Sequence, residues 1–265
     1  MWSALNDALA CEPCTGAWYA RPRRSTLRKA VLDGCCGAGG AARGYTETGF
    51  EVWGVDSNPR LERDYLASGA TRFICADILE VLADRWFMRQ FDFTHVSPPC
   101  QRYSQMSRCR PGLAESYPDL IGPVRDRLEE NGKPFVIENV GAARSQLQDP
   151  VTLCGEMFGR RVYRHRLFEP GGGIALAAPP PELAIPPASQ AKLNRECGWN
   201  HPVAAAKAGH WKPGMYVSVS GHERREPVRE AMAIDWMSSR EDVKEAIPPY
   251  MTRYLGAQVM EQLRS

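Results

Sequence analysis

Ala30-Val31-Leu32-Asp33-Gly34, then Cys35-Cys36-Gly37-Ala38-Gly39-Gly40-Ala41-Ala42, then Glu51-Val52-Trp53-Gly54-Val55-Asp56 is the stretch that decides the fold. A short apolar run, a glycine turn opening a helix and a second apolar run closed by a carboxylate make one βαβ unit. The pattern repeats outward: TRFICAD at 71–77, FDFTHVS at 91–97 and PFVIENV at 134–140 are further strand-like runs separated by helical stretches. Such alternation predicts an α/β fold with a mostly parallel central sheet and helices on both faces. One more strand is expected over 162–169. Beyond it, Gly171-Gly172-Gly173 and the Pro/Ala-rich run APPPELAIPPA at 178–188 read as a linker or domain boundary. After Pro248 and Pro249, Met251, Leu255, Val259 and Leu263 recur every four residues, which predicts a terminal amphipathic helix packed back on the core.

Four regions follow: an N-terminal extension (1–28), a catalytic core (29–170), a small irregular region (171–225) and C-terminal helices returning to the core (226–265). The 265 residues, 43% of them apolar, suit one sizeable domain with a smaller appendage. The start of the chain carries Asp7 and Glu12 and no long apolar core, so neither a secretory signal nor a membrane span is expected. A cytoplasmic setting, in a bacterium or a virus-infected host cell, is the resulting expectation. Nine cysteines, an odd number, several inside apolar runs, read as free thiols rather than a disulfide framework.

The net charge of +2 says little about partners, but the arginines cluster. Arg21, Arg23, Arg24, Arg28 and Lys29 read as solvated surface. Arg102, Arg108 and Arg110, and Arg160, Arg161, Arg164 and Arg166, lie near the chemistry-bearing motifs and are expected at nucleic-acid phosphates, the main sequence-independent source of such affinity.

Glycines at 37, 39 and 40 let a ligand approach backbone closely, and Asp56, nineteen residues after Gly37, is placed to take ribose hydroxyls. A nicotinamide or flavin protein fits this pattern as well, and so does a tight structural turn. Asp77, ending the third strand, is either a second ligand carboxylate or the N-cap of the helix opening at Ile78. The fourth strand ends in Ser97-Pro98-Pro99-Cys100-Gln101, where the proline pair forbids helix and presents one thiol at the sheet's edge. A buried structural role is the expectation for Cys35, Cys36, Cys75 and Cys154, and a nucleophilic one for Cys100, with Arg102, Arg108 and Arg110 favouring its thiolate. Glu138-Asn139-Val140 puts a carboxyl at the same edge, and alternation along a strand turns Arg164 and Arg166 to one face. Cys11-x-x-Cys14 with Cys197 and His201 has ligand spacing only in its first pair, so no metal site is expected. His201, His210 and His222 among Trp199, Trp211 and Tyr216 read as a small aromatic core ahead of a DNA-facing surface.

Taken together, these residues resemble the DNA (cytosine-5) methyltransferases from about Lys29 onward. LDGCCGAGG is similar to the family's cofactor motif, VDSNP and ADI to its ribose and adenine contacts, SPPCQRYS to its nucleophile loop, ENV to its acid motif, Arg-x-Arg to its cytosine-binding strand and EAIPP to its last motif. The resemblance implies a Rossmann-like class I methyltransferase with a target-recognition region at 171–225, the enzyme class EC 2.1.1.37, and S-adenosylmethionine as methyl donor. It implies catalytic roles for Cys100, Glu138, Arg164 and Arg166. Cofactor contacts are implied at Asp33, Cys35, Gly37, Ala38, Gly39, Gly40, Asp56, Ser57, Asp77, Ile78, Ser97, Pro98 and Leu120, and substrate contacts at Pro99, Gln101, Tyr103, Ser104 and Asn139. The partner implied is double-stranded DNA bound by a monomer, its target base flipped out, in restriction-modification or a viral genome. A transfer-RNA cytosine methyltransferase, a catalytically dead nucleic-acid binder and a dinucleotide oxidoreductase are the alternatives. The last leaves the PPCQ loop without a role. Where the family usually has an aromatic, a glutamine and Gly-Asn, this chain has Cys35, Val162 and Lys244-Glu245. These departures bear on cofactor affinity and positioning, and the short 171–225 segment on sequence specificity.

Overall fold

The computed structural model describes residues 28–103, 112–162, 164–180, 217, 219 and 225–265. Seven strands form one sheet in the order β3-β2-β1-β4-β5-β7-β6. The first five, β1 (Ala30–Gly34), β2 (Glu51–Asp56), β3 (Arg72–Cys75), β4 (Phe93–Val96) and β5 (Phe135–Val140), are parallel. β7 (Arg166–Gly171) runs antiparallel to β5, and β6 (Val151–Leu153) antiparallel to β7. This is a Rossmann-like arrangement with an antiparallel pair at one edge. β1 is buried at every residue because it lies between β2 and β4 with helices over both faces, so it reads as an unbroken apolar run.

The strand expected over 162–169 begins later. Val162 makes an isolated bridge to Val217, and the ladder with β5 starts at Arg166. β6, three residues long at the sheet's edge, had no readable period.

One face of the sheet carries α1 (Gly40–Glu47) and α8 (Pro249–Gln262), with Tyr45, Phe50, Phe93 and Phe168 at its centre. The other carries α3 (Ile78–Ala83), α4 (Arg85–Met88) and α5 (Ile121–Asn131), packed on Leu32, Trp53, Val55 and Ile137. The remaining helices are α2 (Glu62–Ala67), α6 (Arg225–Met232) and α7 (Arg240–Glu245). The terminal helix is as the four-residue period predicts: Pro249 opens it, and Met251, Leu255 and Val259 are wholly buried. At roughly 1.5–3 kcal/mol per side chain, these three contribute up to about 5–9 kcal/mol of burial. After β7, Ala175 and Ala177 exchange hydrogen bonds with Gln262 and Gln258, so residues 175–177 run along α8. Among the described residues no helix is long and apolar enough to cross a membrane.

This order fixes where a ligand binds. The order in which strands are added reverses between β1 and β4, and in open α/β sheets the crevice lies at the carboxyl ends of the strands flanking that point. The glycine loop after β1 and the Pro-Pro-Cys loop after β4 are therefore neighbours.

Candidate active site

A cavity of about 270 Å³ opens at this switch point. The glycine loop forms its floor. Gly37 (φ 53) and Gly39 (φ 87) take left-handed conformations, and α1 starts at Gly40. Cys35, also left-handed (φ 52), is a non-glycine residue in that region. Asp56 ties the loop down, its carboxylate accepting from the N–H groups of Gly37 (3.0 Å) and Asn58 (3.0 Å). Burial raises the Asp56 carboxyl above the usual range against these hydrogen bonds.

Opposite the floor stand Pro98, Pro99, Cys100, Gln101 and Glu138. Asn139, buried, donates from Nδ2 to the carbonyl of Pro98 (2.9 Å), which ties the Pro-Pro-Cys loop to β5. On the far side of that loop, Arg102 donates to the carbonyl of Tyr117 (3.0 Å) and pairs with Asp119 (3.4 Å), while the Tyr103 hydroxyl donates to the same carboxylate. Cys100 is half-buried, and burial pushes its thiol up. Arg166 and Arg164 pull it down while Glu138 and Glu245 oppose them. The cations facing the sulfur are thus Arg166 and Arg164. Arg102 is turned to Asp119 instead, and Arg108 and Arg110 lie outside the described residues. Cys100 rests as a thiol.

Glu138 is buried, and desolvation raises its carboxyl although Arg166, Arg164 and a hydrogen bond from Ser97 hold it down. Arg166 Nε lies 2.9 Å from Glu138 Oε1, an ion pair whose geometry does not make a hydrogen bond, so Oε1 has no hydrogen-bond partner. Both arginines turn inward while His165 is exposed, as alternation predicts, though only Arg166 faces the cavity. Arg164 donates to the carbonyls of Lys244 and Ala246 (2.9 Å to the latter), clamping the segment before α8. Burial, and then the like charge of Arg166, lower its ordinary value. Arg160 stacks over Tyr250 at 5.7 Å.

Of the residues expected at the cofactor, the cavity gathers Asp33, Cys35, Gly37, Ala38, Gly40, Asp56, Ser97 and Pro98. Gly39, Ser57, Asp77, Ile78 and Leu120 are outside its lining. Asp77 caps α3, accepting from Leu79 N–H (2.7 Å) and Glu80 N–H (3.3 Å). Pro99 and Gln101 line the cavity, Tyr103 and Asn139 hold its loop from behind, and Ser104 lies outside the described residues. Cys75 and Cys154 stand apart from it, but Cys36, expected to be structural, lines it as well as being buried. Asp242, Glu245 and Ile247, which close one wall from beyond α6, were not among the residues expected at the cofactor. The EAIPP run that holds Glu245 and Ile247 was matched only as the family's last motif, and Asp242 carried no signal. Cys11, Cys14, Cys197 and the histidines at 201, 210 and 222 fall outside the described residues.

The residues lining the cavity match the groups that the implied cofactor carries. Asp33 is wholly buried, its Oδ1 without a partner, at a cavity also lined by Asp56, Asp242 and Glu245. The bare backbone of Gly37 has open space above it. Carboxylates around a glycine cradle suit a ligand carrying ribose hydroxyls, a sulfonium and an ammonium group, so the residues fit.

The C-5 cytosine-specific DNA methylase family model matches residues 30–152. No curated protein matches the sequence. Among solved structures, the chain is similar to one described as a DNA modification methyltransferase encoded within an E. coli prophage (14% identity, 89% of this chain and 100% of that chain, TM-score 0.58). It is similar also to the S. pombe Dnmt2 methyltransferase (14% identity, 90% and 100%, TM-score 0.54) and the Entamoeba histolytica methyltransferase EhMeth (13% identity, 89% and 98%, TM-score 0.54). At these identities the likeness is one of fold.

Proposed function

We propose that the protein, whose residues 30–152 match the C-5 cytosine-specific DNA methylase family model, methylates C5 of cytosine in double-stranded DNA through a covalent adduct on Cys100. The observation that carries the reading is the convergence of the Cys100 thiol, the Glu138 carboxyl and the Arg166 guanidinium on the cavity floored by the glycine loop.

Those groups have complementary work to do. The Cys100 sulfur, giving up its thiol proton to water as it attacks, adds to C6 of a cytosine swung out of the helix, and the new S–C6 bond breaks the ring's aromaticity. Glu138, held toward its protonated form by burial, supplies a proton at N3, so the electron pair released by attack settles on C5 rather than as ring charge. Arg166 stabilises the carboxylate that Glu138 becomes, and its remaining N–H groups are donors for the O2 edge of the base. S-adenosylmethionine, when bound, supplies a sulfonium methyl group to that C5. Gly37, Ala38 and Asp56 would hold it, with Asp33, Asp242 and Glu245 facing its cationic parts. The N3 proton then returns to Glu138, and loss of the C5 proton to water restores the double bond and expels Cys100 as a thiolate, which takes up a proton to complete the cycle. The thiol's raised resting value protects it from oxidation and alkylation until a base is in place.

The test is a transfer assay with methyl-labelled donor on duplex DNA and, separately, on transfer RNA. Label in DNA, lost in Cys100→Ala while cofactor binding persists, is the expected result. Label in RNA alone overturns the DNA assignment, and equal transfer by wild type and Cys100→Ala overturns the covalent step.

A further inference from the structure

Behind Glu138 lies a set of polar groups that the reaction above does not use. His95, on β4, is wholly buried at the centre of the sheet, beside Asp33 on one side and Val136 on the other. Its Nδ1 is 2.9 Å from the Tyr45 hydroxyl, and its Nε2 is 2.9 Å from Ser97 Oγ. Tyr45, from α1, is also wholly buried, its ring edge-on to the imidazole at 5.4 Å.

The sheet's register brings these groups to Glu138. His95 and Ser97 are two residues apart and share a side of the chain. β4 pairs in parallel with β5 through His95↔Val136 and Val96↔Ile137, so the next step along both chains sets Ser97 beside Glu138. So placed, the Ser97 hydroxyl favours the charged form of the Glu138 carboxyl by hydrogen bonding. Oε1 of that carboxyl is enclosed and lies 2.9 Å from Arg166 Nε.

The chain has a direction. Burial pushes His95 down to about 3, so the imidazole is neutral, with one N–H and one bare nitrogen. Toward an ionised Glu138, Ser97 can only donate. Its oxygen is then open to the Nε2–H of His95, and the bare Nδ1 accepts from Tyr45. Each hydrogen points toward the carboxylate. Tyr45 has no exposure at its far end, so protons do not pass along the chain to solvent.

We propose that Tyr45, His95 and Ser97 are positioning residues for Glu138, bracing its carboxyl from behind so that it stays turned to the cavity, where it exchanges a proton with the base. The proposal rests on the cytosine reading for the identity of that base, but the coupling to Glu138 is independent of it. The other charged or titratable groups around Glu138 are Arg166 and Arg164 at the start of β7, Cys100 on the loop after β4 and Asp33 on β1. None of them touches His95 or Ser97 by any hydrogen bond described.

The experiment titrates Glu138 directly. Protein labelled with 13C at glutamate carboxyls is followed by NMR against pH, and the Glu138 resonance is identified by its loss in Glu138→Gln. Ser97→Ala and His95→Phe remove a bond to the charged form, so the midpoint moves upward by about one unit. His95→Gln, whose amide keeps a donor at the Nε2 position, restores most of the shift. The alkaline limb of the methyl-transfer rate moves the same way, because the protonated acid then persists to higher pH. Ser97→Ala removes one oxygen atom and stays interpretable should His95→Phe not fold. An unmoved midpoint in Ser97→Ala overturns the proposal even where wild type transfers methyl. A moved midpoint in a protein that methylates no cytosine keeps the coupling and overturns the reaction assigned to it.

Discussion

Gly44→Ala sets two effects of opposite sign against each other. Gly44 is interior to α1, where alanine is favoured over glycine by about 1 kcal/mol, so helix propensity alone predicts a more stable protein. The structure predicts the reverse. A Cβ at Gly44 would meet the Thr252 hydroxyl, the Pro249 carbonyl oxygen and the Arg253 backbone nitrogen of α8, all at distances that real Cβ atoms do not show. Two of those atoms are backbone, so no rotamer change relieves the contact and α8 must shift as a body. Overpacking of this kind costs about 1–3 kcal/mol, and more where nothing can yield. The net expectation is a loss of about 1–2 kcal/mol, or a fall of about 2–8 °C in melting temperature for a chain of this size. Because α8 follows directly on Ile247, whose backbone lies against Gly40 in the cavity wall, cofactor binding should weaken as well. Scanning calorimetry and titration of the donor read the two effects. Adding Thr252→Ala should recover only part of the stability, since the backbone contacts remain. A Gly44→Ala protein melting at or above wild type would refute the close approach of α1 and α8.

Other consequences are as direct. His95, held near 3 when folded and at its ordinary 6.5 when unfolded, binds its proton only in the unfolded chain between those values, so stability falls as pH drops through that window. By pH 5 the loss is about 2 kcal/mol. Urea unfolding at pH 7.5 and 5 should show that much less acid sensitivity in His95→Gln, and an unchanged difference would argue for an imidazole that is charged when folded. Arg125 grips Glu169 through two bonds of 2.6 and 2.7 Å in a nearly dry setting. Arg125→Ala strands that carboxylate and should cost about 3–5 kcal/mol in chemical denaturation. A loss below 1 kcal/mol, the range of exposed pairs, would mean that water reaches it.

What the sequence disclosed followed the range of its forces. β2 coincides with the run at 51–56, and β5 lies within that at 134–140, because strands buried on both faces must be apolar throughout. The terminal helix was legible for the same reason. Cys100 was conspicuous because a Pro-Pro step has few conformations. The cations that face its sulfur were not, since β7 returns antiparallel, bringing Arg166 to Glu138 from a point with no nearness in sequence, while nearby Arg102 turned to Asp119. His95 sits within an apolar strand run that carries no sign of its partners. Only the register of β4 with β5, and Tyr45 arriving on α1, revealed its company. In the wall of Asp242 and Glu245, Asp242 carried no local signal, and Glu245 showed itself only through the EAIPP run.

That wall has a temporal consequence. Gly40 rests against Ile247, so the two sides of the donor's berth are separated by most of the polypeptide. A ribosome delivers the nucleophile, the acid and the glycine turn long before it delivers their lid. A nascent chain arrested after the segment at 30–152 would therefore own the reactive groups and still have no enclosed place for a donor, so methylating power should switch on only once translation has passed Ile247.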